Sequence, residues 1–218
     1  AYHDWLVSER VVAAGRNPLV VQASKDELDA VDNAPKQFPE IVGISQDVSV
    51  DVSFLDIKLS RLKGKPHTMG YGAVEATSDG GFVYTAEVSS PGAVGMRVQF
   101  AGFNMPAGAA MYVYNADGQV FGPYSGRGPL GTGVFDSNTL AGEAVTIQVR
   151  YTGPDSDRAL RDTRFQVVGL GHIRPRFMAG ECGYNASCVT NAKCGDTDPA
   201  VNDAENAVAH MLFRSGRG

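Results

Sequence analysis

Three cysteines, Cys182, Cys188 and Cys194, fall within thirteen residues, with five residues between neighbours. Thiols grouped in this way serve as metal ligands, as disulfide partners or as buried loop side chains. A zinc site favours pairs two to four residues apart with a fourth ligand, and His172 and His210 complete no such spacing. Gly183, Asn185, Ser187, Asn191 and Gly195 give the segment a loop-like composition, which suits a disulfide framework in an exported chain. The odd count then leaves at least one sulfur without a partner in this chain. Close by, Asp196, Asp198, Asp203 and Glu205 offer hard oxygen ligands of the kind calcium takes. Their spacing departs from a twelve-residue calcium loop, and Asp198 before Pro199 has the chemistry of a helix N-cap with proline in first position.

Hydrolytic chemistry would need a nucleophile, a base within hydrogen-bond reach and backbone donors for an oxyanion. Ser156 between Asp155 and Asp157, and Ser137 after Asp136, read as turn serines. The four histidines, His3, His67, His172 and His210, stand in unlike surroundings. No catalytic group is therefore assigned. Tyr112 and Tyr114 share one face of an expected strand, with Phe121 and Tyr124 following. Such aromatics form a platform for a polysaccharide or a surface protein, or they pack across strands. The glycine-rich stretch 122–133 lacks the Gly-Lys-Ser/Thr ending of a phosphate loop, and no cofactor is expected.

The net charge of -5 and the lack of a basic cluster exclude a phosphate-binding stripe, so nucleic acid is not an expected partner. No run of about 18 apolar residues provides a membrane span. The N-terminus lacks the basic-then-apolar pattern of a signal peptide, so an exported chain would already have lost its signal.

The elements that must position these groups are mainly strands. Residues 1–40 read as an irregular N-terminal arm anchored by Trp5, Leu6, Val11 and Val12. It contains a strand near 19–21 and a helix over 24–32, opened by a capping box of Ser24 with Glu27 and stopped by Pro35 and Pro39. Val48, Val50, Val52 and Phe54 alternate with polar residues and predict a half-buried strand. Leu55, Ile57 and Leu59 continue the alternation out of phase, which predicts a bulge. Further strands are expected at 71–77, 82–88, 94–100, 110–115, 119–121, 144–151 and 164–171, with glycine turns at 79–81 and 115–118. Many short strands without long helical patterns predict a mainly β fold, an antiparallel β-sandwich of the jelly-roll kind over 41–171. Residues 152–158 read as an exposed loop, 172–182 as a linker, and 172–218 as the linker with a cysteine-containing tail.

Six short motifs carry a resemblance to a family. They are Ser-Pro-Gly-Ala at 90–93, an alternating strand ending in Phe at 96–100, and Met-Pro-Ala-Gly-Ala at 105–109. Tyr-Val-Tyr at 112–114, Gly-Pro-Tyr at 122–124 and Gly-Val-Phe at 133–135 follow. In that order, over about residues 40–175, they resemble the sandwich that precedes the catalytic domain in bacterial secreted trypsin-like, lysyl-endopeptidase-like serine proteases. Two departures stand out: Met105 where leucine is usual and Asp136 where tryptophan is expected. The Cys-x5-Cys pair at 182 and 188 and Ala-Val-Ala at 207–209 resemble the opening of the mature enzyme in those relatives, where such cysteines bridge to the protease body. Cys194 has no counterpart. The family's Thr-Ala-x-His-Cys and Gly-Asp-Ser-Gly-Gly contexts are missing from this sequence.

The resemblance implies a secreted or periplasmic chain, non-catalytic by itself, whose partner is its own downstream peptidase domain. Its implied role is to assist folding, restrain activity or engage substrate. Arg174 and Arg176, ahead of Gly180, form a candidate processing segment, and an ordinary linker is the alternative. From another class, the rival expectation is a free-standing module that binds carbohydrate or a surface protein.

Overall fold

Residues that alternate in hydrophobicity every second position form the two layers. In the computed structural model, which describes residues 2–35, 41–62 and 64–175, twelve strands follow one another. They are β1 (Leu19–Val20), β2 (Gly43–Ser53), β3 (His67–Thr68), β4 (Ala73–Ala76), β5 (Phe82–Ser89), β6 (Gly95–Asn104) and β7 (Ala109–Tyr114). After them come β8 (Val120–Tyr124), β9 (Phe135–Asp136), β10 (Leu140–Ala141), β11 (Ala144–Tyr151) and β12 (Arg164–Ile173). One sheet runs β3-β4-β5-β11-β7-β8, with β1 added in parallel to the end of β5. The other runs β10-β6-β12-β2, with β9 beside β6. All pairings except β1 with β5 are antiparallel. The two sheets form a β-sandwich, as the strand spacing predicts.

Each strand presents its apolar residues to the space between the sheets, because successive side chains point to opposite faces. Phe82, Tyr84, Met111, Val113, Ile147 and Val149 from the first sheet share one buried cluster with Val98, Phe100, Phe165 and Leu170 from the second. Phe100 is the hub of an aromatic group, with ring centroids 5.2 Å from Phe135, 6.0 Å from Phe165 and 6.2 Å from Phe103. Turn chemistry holds the register. At Gly108, φ is 86° and an added Cβ would lie 2.6 Å from the Thr152 carbonyl oxygen, so only glycine fits the β6–β7 turn.

The N-terminal arm is a third layer. Helix α1 (Tyr2–Glu9) and a 3-10 turn (Val12–Arg16) lie over the outer face of the seven-stranded sheet. Leu6 packs on Tyr112 and Tyr114, while Val11 and Ala14 pack on Ala73 and Val83. Of the four expected anchors, Leu6 and Val11 are buried, whereas Trp5 is 36% and Val12 78% exposed. The arm is regular where irregularity was expected, because its apolar residues have a sheet face to cover.

Helix α2 (Lys25–Asp32) begins as expected. Ser24 accepts from the Glu27 backbone N–H and the Glu27 side chain accepts from the Ser24 N–H, a complete capping box. Ser24→Ala is expected to cost about 1 kcal/mol, visible as a lower midpoint in urea unfolding; an unchanged midpoint would show that the helix needs no cap.

Three local expectations are corrected. The alternation at 55–59 is not strand: β2 ends at Ser53, Ile57 N–H closes a turn on the Phe54 carbonyl at 3.0 Å, and helix α3 (Leu59–Leu62) follows. Phe54, Ile57 and Leu59 are buried and Leu55 is exposed, a spacing that a turn and a helix start reproduce equally well. The loop expected at 152–158 gives way to helix α4 (Ser156–Asp162), N-capped by Asp155. Residues 172 and 173, expected to open a linker, belong to the sheet instead, since His172 and Ile173 are paired with Ile44 and Gly43 on β2.

Candidate functional site

The groups with chemical potential gather where β12 leaves the sandwich. Serine 90 follows β5, and its backbone N–H donates to the Glu143 carbonyl at 2.8 Å, which pins the turn at 90–93 against the turn before β11. Its Oγ lies 2.8 Å from His172 Nδ1. Both residues are 0% exposed. His172 extends the inward alternation of β12 two positions beyond Leu170, so its ring stands between the sheets. Burial, and next the Arg174 guanidinium, hold the imidazole pKa below its ordinary value. A serine and a histidine at this distance have nucleophile–base geometry, but with both sealed no substrate atom reaches Oγ in this arrangement.

Two residues further on, the backbone N–H of Arg174 donates to the Val42 carbonyl at 2.9 Å. Its guanidinium grips the Asp32 carboxylate of α2 at both oxygens, with Nε to Oδ1 at 3.0 Å. This bidentate pair raises the guanidinium pKa further, the hydrogen bond to Asp32 being the main cause. Arg174 therefore clamps the arm to the sandwich, and Pro175 follows it without an N–H. Arg176, Cys182, Cys188, Cys194, Asp196, Asp198 and Asp203 lie outside the described residues.

The expected aromatic platform is closed. Tyr112 and Tyr114 do share the outer face of β7, but α1 lies over them and leaves them 7% and 2% exposed. The Tyr2 hydroxyl donates to Tyr112 Oη at 2.7 Å, and the Tyr114 hydroxyl donates to Gln148 Oε1 at 2.8 Å. Burial pushes the Tyr114 phenol up to about 12, and burial followed by the Tyr2 hydrogen bond pushes Tyr112 up as well. Tyr124 belongs elsewhere: it lies opposite Met111 and its ring sits 5.0 Å from that of Phe135 on the core side. Cross-strand and helix packing thus accounts for the trio.

A groove of about 360 Å³ runs between α3, α4 and the turn before β5, lined by Leu59, Ala76, Gly81, Pro154, Ser156 and Asp157. Three of its polar side chains are engaged by the fold itself. Asp157 Oδ1 accepts from the Leu59 N–H at 2.8 Å, Asp155 Oδ1 from the Arg158 N–H at 3.2 Å, and Ser156 donates to the Gly80 carbonyl. Among the described residues no three His, Cys, Asp or Glu side chains are placed to hold a metal ion, and no helix is long and apolar enough to cross a membrane.

No protein-family model matches the chain, and no curated protein matches it. Among solved structures, insecticidal crystal protein Cry2Aa is similar with a TM-score of 0.25 and 9% identity, over 66% of this chain and 22% of that one. A likeness at that level carries no weight for either fold or function.

Two arrangements escape the sequence. The Ser90–His172 pair joins residues 82 positions apart; its one trace is a histidine falling in phase with Phe165, Val167 and Leu170 once a bulge between Val167 and Gly169 is allowed for. Arg150 is the other. It lies on the outer face of β11, is 7% exposed, and its Nε donates to Glu9 at 2.8 Å and its Nη2 to Asp79 at 2.6 Å. Its Nη1 donates to the Phe82 carbonyl at 3.4 Å and to the Tyr151 carbonyl. An arginine in an alternating strand reads as a solvent-facing charge until a covering helix is known.

Proposed function

We propose that this chain is the non-catalytic region preceding the catalytic domain of a secreted trypsin-like serine endopeptidase, and that it acts by packing against that enzyme as a folding aid or a restraint. One observation carries the reading. The motifs that resemble the family fall, in order, on successive strands and turns of the sandwich: 96–100 within β6, 112–114 within β7, and the other four at or beside turns. The turn at 90–93 closes through Ala93 N–H to Ser90 carbonyl at 3.1 Å, and the turn at 105–109 through Ala109 N–H to Pro106 carbonyl at 3.0 Å. Tyr112 and Tyr114 lie on β7, and residues 122–124 form the last part of β8; at Gly122 φ is 125° and an added Cβ would meet the Met111 carbonyl oxygen at 2.7 Å. Residues 133–135 lead into β9, with Phe103 N–H donating to the Gly133 carbonyl at 3.1 Å. A framework of this kind supplies a rigid body with a buried core, and rigid bodies dock with little ordering cost.

The gene provides the first test: the reading frame is expected to continue past Gly218 into a histidine in a Thr-Ala-x-His-Cys context and a serine in Gly-Asp-Ser-Gly-Gly. The second test is biochemical. Purified chain added to the separately produced peptidase domain is expected to slow hydrolysis of a lysyl or arginyl ester or to raise the yield of active enzyme on refolding. A frame that lacks both motifs, or a peptidase indifferent to the chain in both assays, removes the proposal.

A further inference from the structure

At the exit of β12 the imidazole of His172 is completely buried, Nδ1 is satisfied by Ser90, and Nε2 has no hydrogen-bond partner. Whichever nitrogen carries the proton of the neutral ring, the second proton of an imidazolium would sit in this enclosed space. Buried charge of that kind is costly unless paired. The charged groups on the packed elements offer no pairing. Arg174, two residues along, has the same sign, and its partner Asp32 on α2 is already engaged. Asp29, one turn back on α2, is paired to Lys25. The Glu143 carboxylate accepts from the Gly92 N–H at 2.9 Å. Arg97, opposite Gly171 on β6, donates to the Ser137 carbonyl at 3.2 Å, and Asp47 lies further along β2, opposite Gly169.

We infer that the Ser90–His172 pair is a proton-operated latch: it holds the end of β12 against β2, β6 and the turn at 90–93 while the ring is neutral, and mild acid opens that end. The opening would free the clamp between Arg174 and Asp32 at the end of α2. The inference stands whether or not a peptidase follows.

The sign is fixed by the environment. The closed state holds the imidazole below its ordinary value of about 6.5, with burial as the first cause and Arg174 as the second. Above that pH the ring is neutral in both states and the latch is unaffected. As pH falls through about 6.5, the open state takes up a proton that the closed state refuses, so opening becomes more favourable by up to about tenfold per pH unit.

Hydrogen exchange of the full chain, corrected for intrinsic rates, reads this directly. Between pH 7 and 5.5 the peptide covering the end of β12 is expected to open more, by up to about tenfold, relative to the centre of the β5–β11 pair. His172→Gln, which keeps a neutral polar group, is expected to remove that dependence, while His67→Gln on exposed β3 leaves it intact. A flat wild type, or a His172→Gln protein as steep as wild type, overturns the latch. Should His172→Gln fail to fold, NMR titration of the wild-type ring decides: a midpoint below 6.5 supports the latch, and one at or above 6.5 overturns it.

Discussion

Phe100→Ala is expected to lower stability by roughly 3–5 kcal/mol and the thermal midpoint by roughly 10–15 °C for a domain of this size. The ring is 0% exposed and meets Phe103 of its own strand, Phe135 of β9 and Phe165 of β12. Removing it opens a cavity walled by three other rings, each held by its own strand, so the site collapses poorly and the cavity contribution adds to the lost burial. Global denaturation by urea, followed by far-UV circular dichroism, measures the loss. A change under about 1 kcal/mol would mean that the two short strands β9 and β10 shift to refill the space, and that the aromatic hub is not where the second sheet is held.

Arg150→Ala acts on a different layer. It is expected to cost about 2–3 kcal/mol, less than the roughly 3–5 kcal/mol for breaking a fully buried ion pair, because Glu9 and Asp79 are 28% and 47% exposed and can rehydrate. What is lost beyond charge is the set of donors that ties α1 and the turn before β5 to β11. Trypsin or chymotrypsin should then cut within residues 2–16 before the sandwich unfolds, and equal cutting of wild type and variant would show that Leu6 and Val11 alone seat the arm. Asp79 supplies a pH signature. Its carboxyl is held at about 2 by the Thr77 hydroxyl, the Gly81 N–H and Arg150, in that order. A depressed carboxylate contributes stability that is present above its unfolded value near 4 and fades as pH falls toward 2. In Arg150→Ala that acid loss is expected to shrink but persist, because Thr77 and Gly81 remain.

Local chemistry made much of this fold legible. The capping box at Ser24 and Glu27 needs only residues three apart, and it forms as read. The period-two runs at 82–88, 144–151 and 164–171 become β5, β11 and β12 because one face of each is apolar and has a facing sheet to meet. Where local patterns are degenerate the expectation differs from the fold: Leu55, Ile57 and Leu59 alternate as a strand would, yet a turn and α3 bury Phe54, Ile57 and Leu59 and leave Leu55 exposed.

Alternation and glycine-bearing turns act over a few residues, so the two-layer sandwich and its turns are legible along the chain. Packing in three dimensions sets the rest: the arm caps the outer face, Tyr112 and Tyr114 are covered, and Arg150, Ser90 and His172 meet partners 68 to 141 positions away. Those facts depend on which polar faces are denied water. Burial of that sort is set by distant segments docking, and no spacing along the chain encodes it.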